Sequence, residues 1–337
     1  MTRPFVQVTG TNLVEPLRQH LAAQLPIFKA IPGLVGITLN GGLSRGYADH
    51  LSEIDVTLFL DAATYRVWQM QRSPVALGIT VIDGQVYDIK AVDIDQEWVR
   101  VWESDALWDA SYAEILYDPD GVIHALYAEK LASRPAAESA SGFMMSCWWY
   151  YRLAGDIWIQ RDDAAQGHAM LNQAATNLVK AIFCANQEFI PHEKWLFHMS
   201  RSLAWQPDNW PVRMGEILST GDMSIQSLVE RQRIIDTLWR EVDAHLIVHD
   251  FAGLPVHIMQ RSTYAALALL VQRGAISLDA WQALGFGAIF NQEPFHAVVR
   301  IEGQTLVLDK EKLLRLPPDA FYVWHGEVTD AVRQLAG

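Results

Sequence analysis

Between positions 41 and 88 the chain gathers residue types that suit one kind of chemistry. The run Gly41-Gly42-Leu43-Ser44-Arg45-Gly46 follows a short β-rich stretch, and Glu53 and Asp55 alternate at the start of the next. Successive side chains of a strand point to opposite faces, so Glu53 and Asp55 share a face. Asp88, within the alternating run Val86-Tyr87-Asp88-Ile89, can reach the same site from a neighbouring strand. Carboxylates gathered beside the amides of a glycine turn and a hydroxyl suit Mg²⁺ bound together with a triphosphate. Mg²⁺ takes one or two carboxylates plus phosphate oxygens, and exposed backbone N–H groups bind phosphate. The plain alternative is a glycine turn flanked by solvated acids.

These residues need a sheet to hold them. Residues 12–30 carry Leu13, Leu17, Leu21 and Leu25 at spacing four, which predicts an amphipathic opening helix. LVGITL at 34–39 and IDVTLFL at 54–60 read as strands. Residues 78–92 read as two alternating runs joined by Asp83-Gly84, a dipeptide that suits a type I′ hairpin turn. From Asp95 the spacing turns helical with abundant Trp, and SRPAAESASG at 133–142 reads as a linker. Three long amphipathic helices follow, within 143–160, 171–189 and 224–248. Residues 296–309 read as a small hairpin, followed by Pro317-Pro318 and a short terminal helix. The expected fold is α+β: a mixed-sheet domain over 1–132, an all-helical domain over 142–250, and a C-terminal extension over 251–337.

The stretch GGLSRGYADHLSEIDV resembles the signature of the polymerase-beta-type nucleotidyltransferases, with a Gly-Gly/Ser turn, alternating acids and a third acid on a later strand. VYDIKAVDIDQEWVRVW, ILYDPDG and CANQEFIPHEKWL extend the likeness to a bacterial nucleotidyltransferase-like subgroup. The helical half is similar to the substrate domain of small-molecule adenylyltransferases acting on aminoglycosides and lincosamides. The likeness covers roughly residues 30–250 and leaves 255–337 unmatched. It implies that Glu53, Asp55 and Asp88 bind two Mg²⁺ ions and carry catalysis, and that Gly41, Gly42 and Ser44 hold nucleotide phosphate. Arg45 and Lys90 lie near the acids in sequence and can add positive charge. Lys194, which follows Pro191, is implied to reach the triphosphate of ATP or another nucleoside triphosphate, although a cation–π contact with Trp195 or Phe197 is the alternative. The family's first metal acid is typically Asp. Glu53 is one methylene longer, and Mg²⁺ tolerates misplaced ligands poorly. Asp49 is the other candidate for that place. Three readings follow: transfer of a nucleoside monophosphate to a small-molecule hydroxyl, AMP transfer to a protein hydroxyl, or an inactive nucleotide-binding module.

Composition narrows the partners. The 337 residues hold 26 Lys+Arg against 39 Asp+Glu, a net charge of -13, with 50% hydrophobic residues and 13 Trp. Such a chain buries a large core, and its charge is the opposite of what grips long nucleic acid. The acidic balance favours a cationic small acceptor. The richest apolar window, Tyr264 to Val271, is too short to span a membrane, and MTRPFVQVTG lacks an apolar run. A cytoplasmic protein without membrane contact is expected. Cys147 and Cys184 form no CxxC pair and read as buried thiols. Gly42 to Gly46 satisfies G-x-S-x-G, but that motif needs a substantial helix after its serine, where a strand soon begins here. No P-loop motif occurs. His245 and His249 lack the glutamate of HExxH, and Asp118-Pro119-Asp120-Gly121 reads as a turn. Arg161 and Asn186 are further polar candidates in the helical half.

Overall fold

The opening leucines fold as predicted. In the computed structural model, which describes residues 10–246, 261–316 and 332–335, helix α1 spans Val14–Lys29 and buries Leu17, Leu21 and Phe28. It packs on one face of a sheet whose strands begin with β1 (Leu34–Leu39). A five-residue helix α2 (Gly41–Arg45) turns the chain, and β2 (Ile54–Leu60) returns antiparallel to β1. Helix α3 (Ala62–Met70) is capped by Asp61, whose carboxylate accepts from the Thr64 N–H. It leads to the hairpin of β3 (Gly78–Ile82) and β4 (Gln85–Asp93). Asp83 and Gly84 both have positive φ, 48° and 85°, as a type I′ turn requires.

Strand β4 lies parallel to β2 with Asp55 opposite Asp88. Helices α4 (Ile94–Val99) and α5 (Ser104–Tyr112) follow, then β5 (Glu114–Tyr117) and α6 (Val122–Lys130). The sheet order is β3-β4-β2-β1-β5. Sequence patterning missed β5. It is only four residues long and half-buried throughout, so no alternation marks it, and its pairing with β1 is made across the fold. Ile54, Val56, Leu58 and Leu60 face α1, whereas Phe59 packs with Ile94, Trp102 and Ile123 beneath α4 to α6. The sheet therefore has one closed face, and a second face open where Asp55 and Asp88 stand.

The expected linker is only partly irregular, because α7 (Ala140–Trp148) begins within it. The helix continues through a π-wound segment, Trp149–Ala154, into α8 (Gly155–Gln160). Around α9 (Ala164–Ala185) pack α10 (Glu193–Ser200), α11 (Trp210–Leu218) and α12 (Ile225–Leu246). Trp148, Trp210, Trp239 and both free cysteines are buried in this core. Tyr47 and Trp108 from the sheet region join it, so one apolar cluster spans the two regions.

The remaining described chain forms its own core around Leu267, Trp281 and Phe295. It runs α13 (Arg261–Arg273), β6 (Ala275–Ser277), α14 (Leu278–Ala283), α15 (Phe295–Val298), β7 (Val299–Glu302), β8 (Thr305–Leu308) and α16 (Lys310–Arg315). The predicted hairpin is β7–β8, and β6, too short to pattern, adds to its β8 edge. His249 and Pro317-Pro318 lie outside the described residues, whereas 332–335 are helical. Among the described residues no helix is long and apolar enough to cross a membrane.

Candidate active site

At the end of β1 the chain reverses directly against β2. The Asn40 N–H donates to the Asp55 carbonyl at 2.9 Å, and the Asn40 side-chain amide donates to Thr57 Oγ1 at 2.7 Å. Gly41 follows with φ +67°, and a Cβ there would stand 1.7 Å from Asp55 Oδ2. No other residue fits that place. The glycine is what lets the turn's backbone lie on the Asp55 carboxylate.

Asp55 and Asp88 are register partners on parallel strands, and Glu53 immediately precedes β2. One carboxylate oxygen from each lies within 4.8 Å of the other two. All three residues are half-buried. Burial pushes Asp55 up to about 6, Glu53, Asp109 and Asp88 push the same way, and Lys90 opposes them. Like charges held together in a partly desolvated site raise one another's pKa. A divalent cation relieves that repulsion, and an all-carboxylate oxygen donor set fits hard Mg²⁺.

The acids open into a cavity of about 700 Å³ between the sheet and the helical region. Gly41, Gly42, Arg45 and Lys194 line it with Glu53, Asp55 and Asp88, so seven of the eight expected site residues meet in one cleft. Ser44 does not. Its side chain is buried, and its hydroxyl donates to the Gly41 carbonyl at 3.0 Å inside α2. Lys194 is exposed at the start of α10, whose N-cap is His192. Among the described residues no carboxylate pairs with Lys194. The other lining cations are paired: Arg45 with Asp109 at 2.7 Å, Lys90 with Asp88 at 3.7 Å, and Arg100 with Glu97 at 2.7 Å.

The remaining candidates separate by their partners. Asp49 lines the cleft, but its carboxylate accepts from the Leu51 N–H and the Ser52 hydroxyl, closing its own turn rather than joining the acids. Asn186 is used internally: its amide donates to the Ile182 and Trp205 carbonyls, and its oxygen accepts from the Trp205 N–H. The Arg161 guanidinium sits 5.2 Å from the Trp158 ring centre and does not line the cleft. Sequence reading missed Asp109 and Tyr47. A lone acid on α5 carries no signal, and Tyr47 gave only its position next to the glycine turn.

No protein-family model matches the chain, and no curated protein matches it. Among solved structures it is similar to a nucleotidyltransferase-like protein from Exiguobacterium sibiricum 255-15. The identity is 10%, the match covers 87% of this chain and 98% of that chain, and the TM-score is 0.39. A likeness that loose carries no argument about the site.

Proposed function

We propose that the protein is a nucleotidyltransferase that moves a nucleoside monophosphate, AMP from ATP in the first instance, onto a hydroxyl of a small molecule. The observation that carries this reading is the meeting of Glu53, Asp55 and Asp88 beside a glycine turn that only glycine permits. The motif resemblance of residues 41–56 points the same way. Glu53, Asp55 and Asp88 would hold Mg²⁺, which when bound supplies charge neutralisation for the triphosphate and for the transition state. The turn at Gly41 and Gly42 offers backbone donors to phosphate, and Lys194 offers a mobile cation from the facing wall. In the transfer, the acceptor oxygen bonds to the α-phosphorus while the bond to the bridging oxygen breaks. Pyrophosphate leaves, and the acceptor proton passes to a carboxylate of the cleft.

Asp49, Glu97, Asp105 and Asp109 also line the cavity, so negative charge extends beyond the metal acids. That field favours an acceptor bearing amines. A specific observation supports a second reading, an inactive nucleotide-binding module, because Glu53 stands where the resemblance expects Asp. A pyrophosphate-release screen of four nucleoside triphosphates against hydroxylated metabolites and aminated antibiotics, run beside Mg-ATP calorimetry, separates the two. Turnover with any acceptor establishes transfer. Binding without turnover across the library leaves the module, and absence of binding removes both readings.

A further inference from the structure

Two donors in the cleft wall lack the partners that their burial demands. Tyr47 is 7% exposed, and its hydroxyl is buried without a hydrogen bond. Arg45 is 6% exposed; its Nη1 holds Asp109, but its Nε is buried without a hydrogen bond. Both residues line the cavity that contains the three acids. Buried polar groups are nearly always paired, so two neighbouring exceptions in one cavity wall call for an explanation. Burial raises the Tyr47 phenol above its usual range, partly offset by the Arg45 guanidinium close beside its oxygen and reinforced by Asp55 and Asp109. At neutral pH it is therefore a hydroxyl able to donate.

The position of that hydroxyl is set by the glycine turn. The Tyr47 N–H donates to the Gly42 carbonyl at 3.1 Å. A Cβ on Gly42 would lie 2.9 Å from Tyr47 Cε2 and 3.2 Å from Cζ, the carbon bearing the hydroxyl. On its other side the ring meets Trp195 edge-on, with centroids 5.7 Å apart, and Trp195 is the neighbour of Lys194 on α10. The ring thus stands between the glycine turn and the helix that carries Lys194. Arg45 Nε only donates, and the Tyr47 hydroxyl, which can also accept, still carries a proton that needs an acceptor. An anion with several oxygens accepts from both.

We propose that Tyr47 is a nucleotide-binding residue whose hydroxyl, with Arg45 Nε beside it, donates to the phosphates that leave as pyrophosphate. The inference rests on the nucleotidyl-transfer reading and deepens it, adding to the site a residue that neither composition nor motif singled out. It also explains why Gly42 must lack a side chain: the ring occupies that space. The edge-on contact with Trp195 then links phosphate binding on the sheet side to the helical wall.

The test is Tyr47→Phe in the full chain, which deletes one oxygen and keeps the ring against Gly42 and Trp195. Calorimetry with inorganic pyrophosphate, ATP and adenosine, each with Mg²⁺, is run beside a ligand-free thermal melt. The expected result is about ten- to a hundredfold weaker pyrophosphate and ATP binding, as for one hydrogen bond to a charged group, with adenosine unchanged. The ligand-free variant should melt at the same temperature as the parent or higher, since an unsatisfied hydroxyl has gone. Unchanged pyrophosphate and ATP affinities overturn the proposal, and so does an earlier melt, which would give the hydroxyl a structural partner. A parent protein that binds neither ATP nor pyrophosphate removes the nucleotidyl-transfer reading itself, a result distinct from parent binding that the variant retains.

Discussion

The cleft and the helical core treat charge in opposite ways. In the core, Arg231 on α12 is 2% exposed, and no carboxylate pairs with it among the described residues. Its Nε donates to the Ile217 carbonyl at 2.6 Å, its Nη1 to His168 Nδ1 and the His168 carbonyl, and its Nη2 to the Asn172 side-chain oxygen. Burial lowers it to about 10, which leaves it charged at neutral pH. In the cleft, three half-buried carboxylates face one another, and Lys90, paired with Asp88, is the cation opposing the rise of Asp55. A charge surrounded by oriented neutral acceptors has its needs met within the fold. Charges that repel one another at an open cavity have needs that only a ligand meets. Perturbed ionisation alone does not separate structure from function; the presence or absence of internal partners does.

Asp55→Asn is the strongest test of the cleft side. It removes one charge at nearly constant shape, and Mg²⁺-dependent pyrophosphate release should fall to background. The folded pKa of Asp55 lies above its ordinary value of 3.8, so its ionised form costs stability that grows as pH rises from about 4 through 6. Without metal at neutral pH the variant should therefore melt higher than the parent. Adding Mg²⁺ should raise the melting temperature of the parent and leave the variant unmoved. Retained release, or an equal Mg²⁺ response in both proteins, would remove Asp55 from the metal site.

Arg231→Met tests the core side. The longer-range charge balance changes little, but the Ile217 carbonyl, His168 and Asn172 lose their donor together. Each orphaned acceptor costs about 1–3 kcal/mol, and a loss of about 3–5 kcal/mol is expected in denaturant unfolding. The fraction that folds should bind Mg-ATP with the parent's affinity. A variant of unchanged stability would make Arg231 a bystander and erase the contrast between the two regions.

What the sequence disclosed divides along the same line. Glu53, Asp55 and Asp88 were legible because strand periodicity is local: period two puts 53 and 55 on one face, and the alternating run at 86–89 marks the strand that carries 88 and pairs in parallel with β2. Ser44 stands apart from the cleft lining because its neighbours coil into α2, where its hydroxyl donates to the Gly41 carbonyl. The Arg45–Asp109 pair and the Tyr47–Trp195 contact join residues 64 and 148 positions apart in chain numbering. Only tertiary packing makes such neighbours, and no pattern within one segment announces them. Lys194 stood out through family resemblance, whereas its apposition to the acids depends on how α10 packs against the sheet region.

Lys194→Ala sharpens the comparison at the facing wall. Lys194 is exposed and without a carboxylate partner among the described residues, so truncation should leave the melting temperature within error. Its charge-assisted contact is worth roughly 1.5–3 kcal/mol, or about ten- to a hundredfold in triphosphate affinity. Adenosine binding should not change. Equal losses for ATP and adenosine would return Lys194 to a packing role.

The smallest and most informative effect belongs to Glu53. It stands just before β2, outside the paired strand, where the backbone is freer to adjust than at Asp55 or Asp88. Its oxygen already lies within 4.8 Å of the other two acids, so the longer side chain has not carried the carboxylate away from them. The local backbone has thus accommodated glutamate. Glu53→Asp should withdraw the carboxylate by about one C–C bond and reduce turnover by about tenfold, near 1.4 kcal/mol, with a higher Mg²⁺ requirement. The measurement is pyrophosphate release across a Mg²⁺ titration. A rise in turnover would mean that glutamate is the handicap and aspartate the better ligand. Unchanged rate and unchanged Mg²⁺ dependence would exclude Glu53 as a ligand and leave Asp55 and Asp88 as the metal acids.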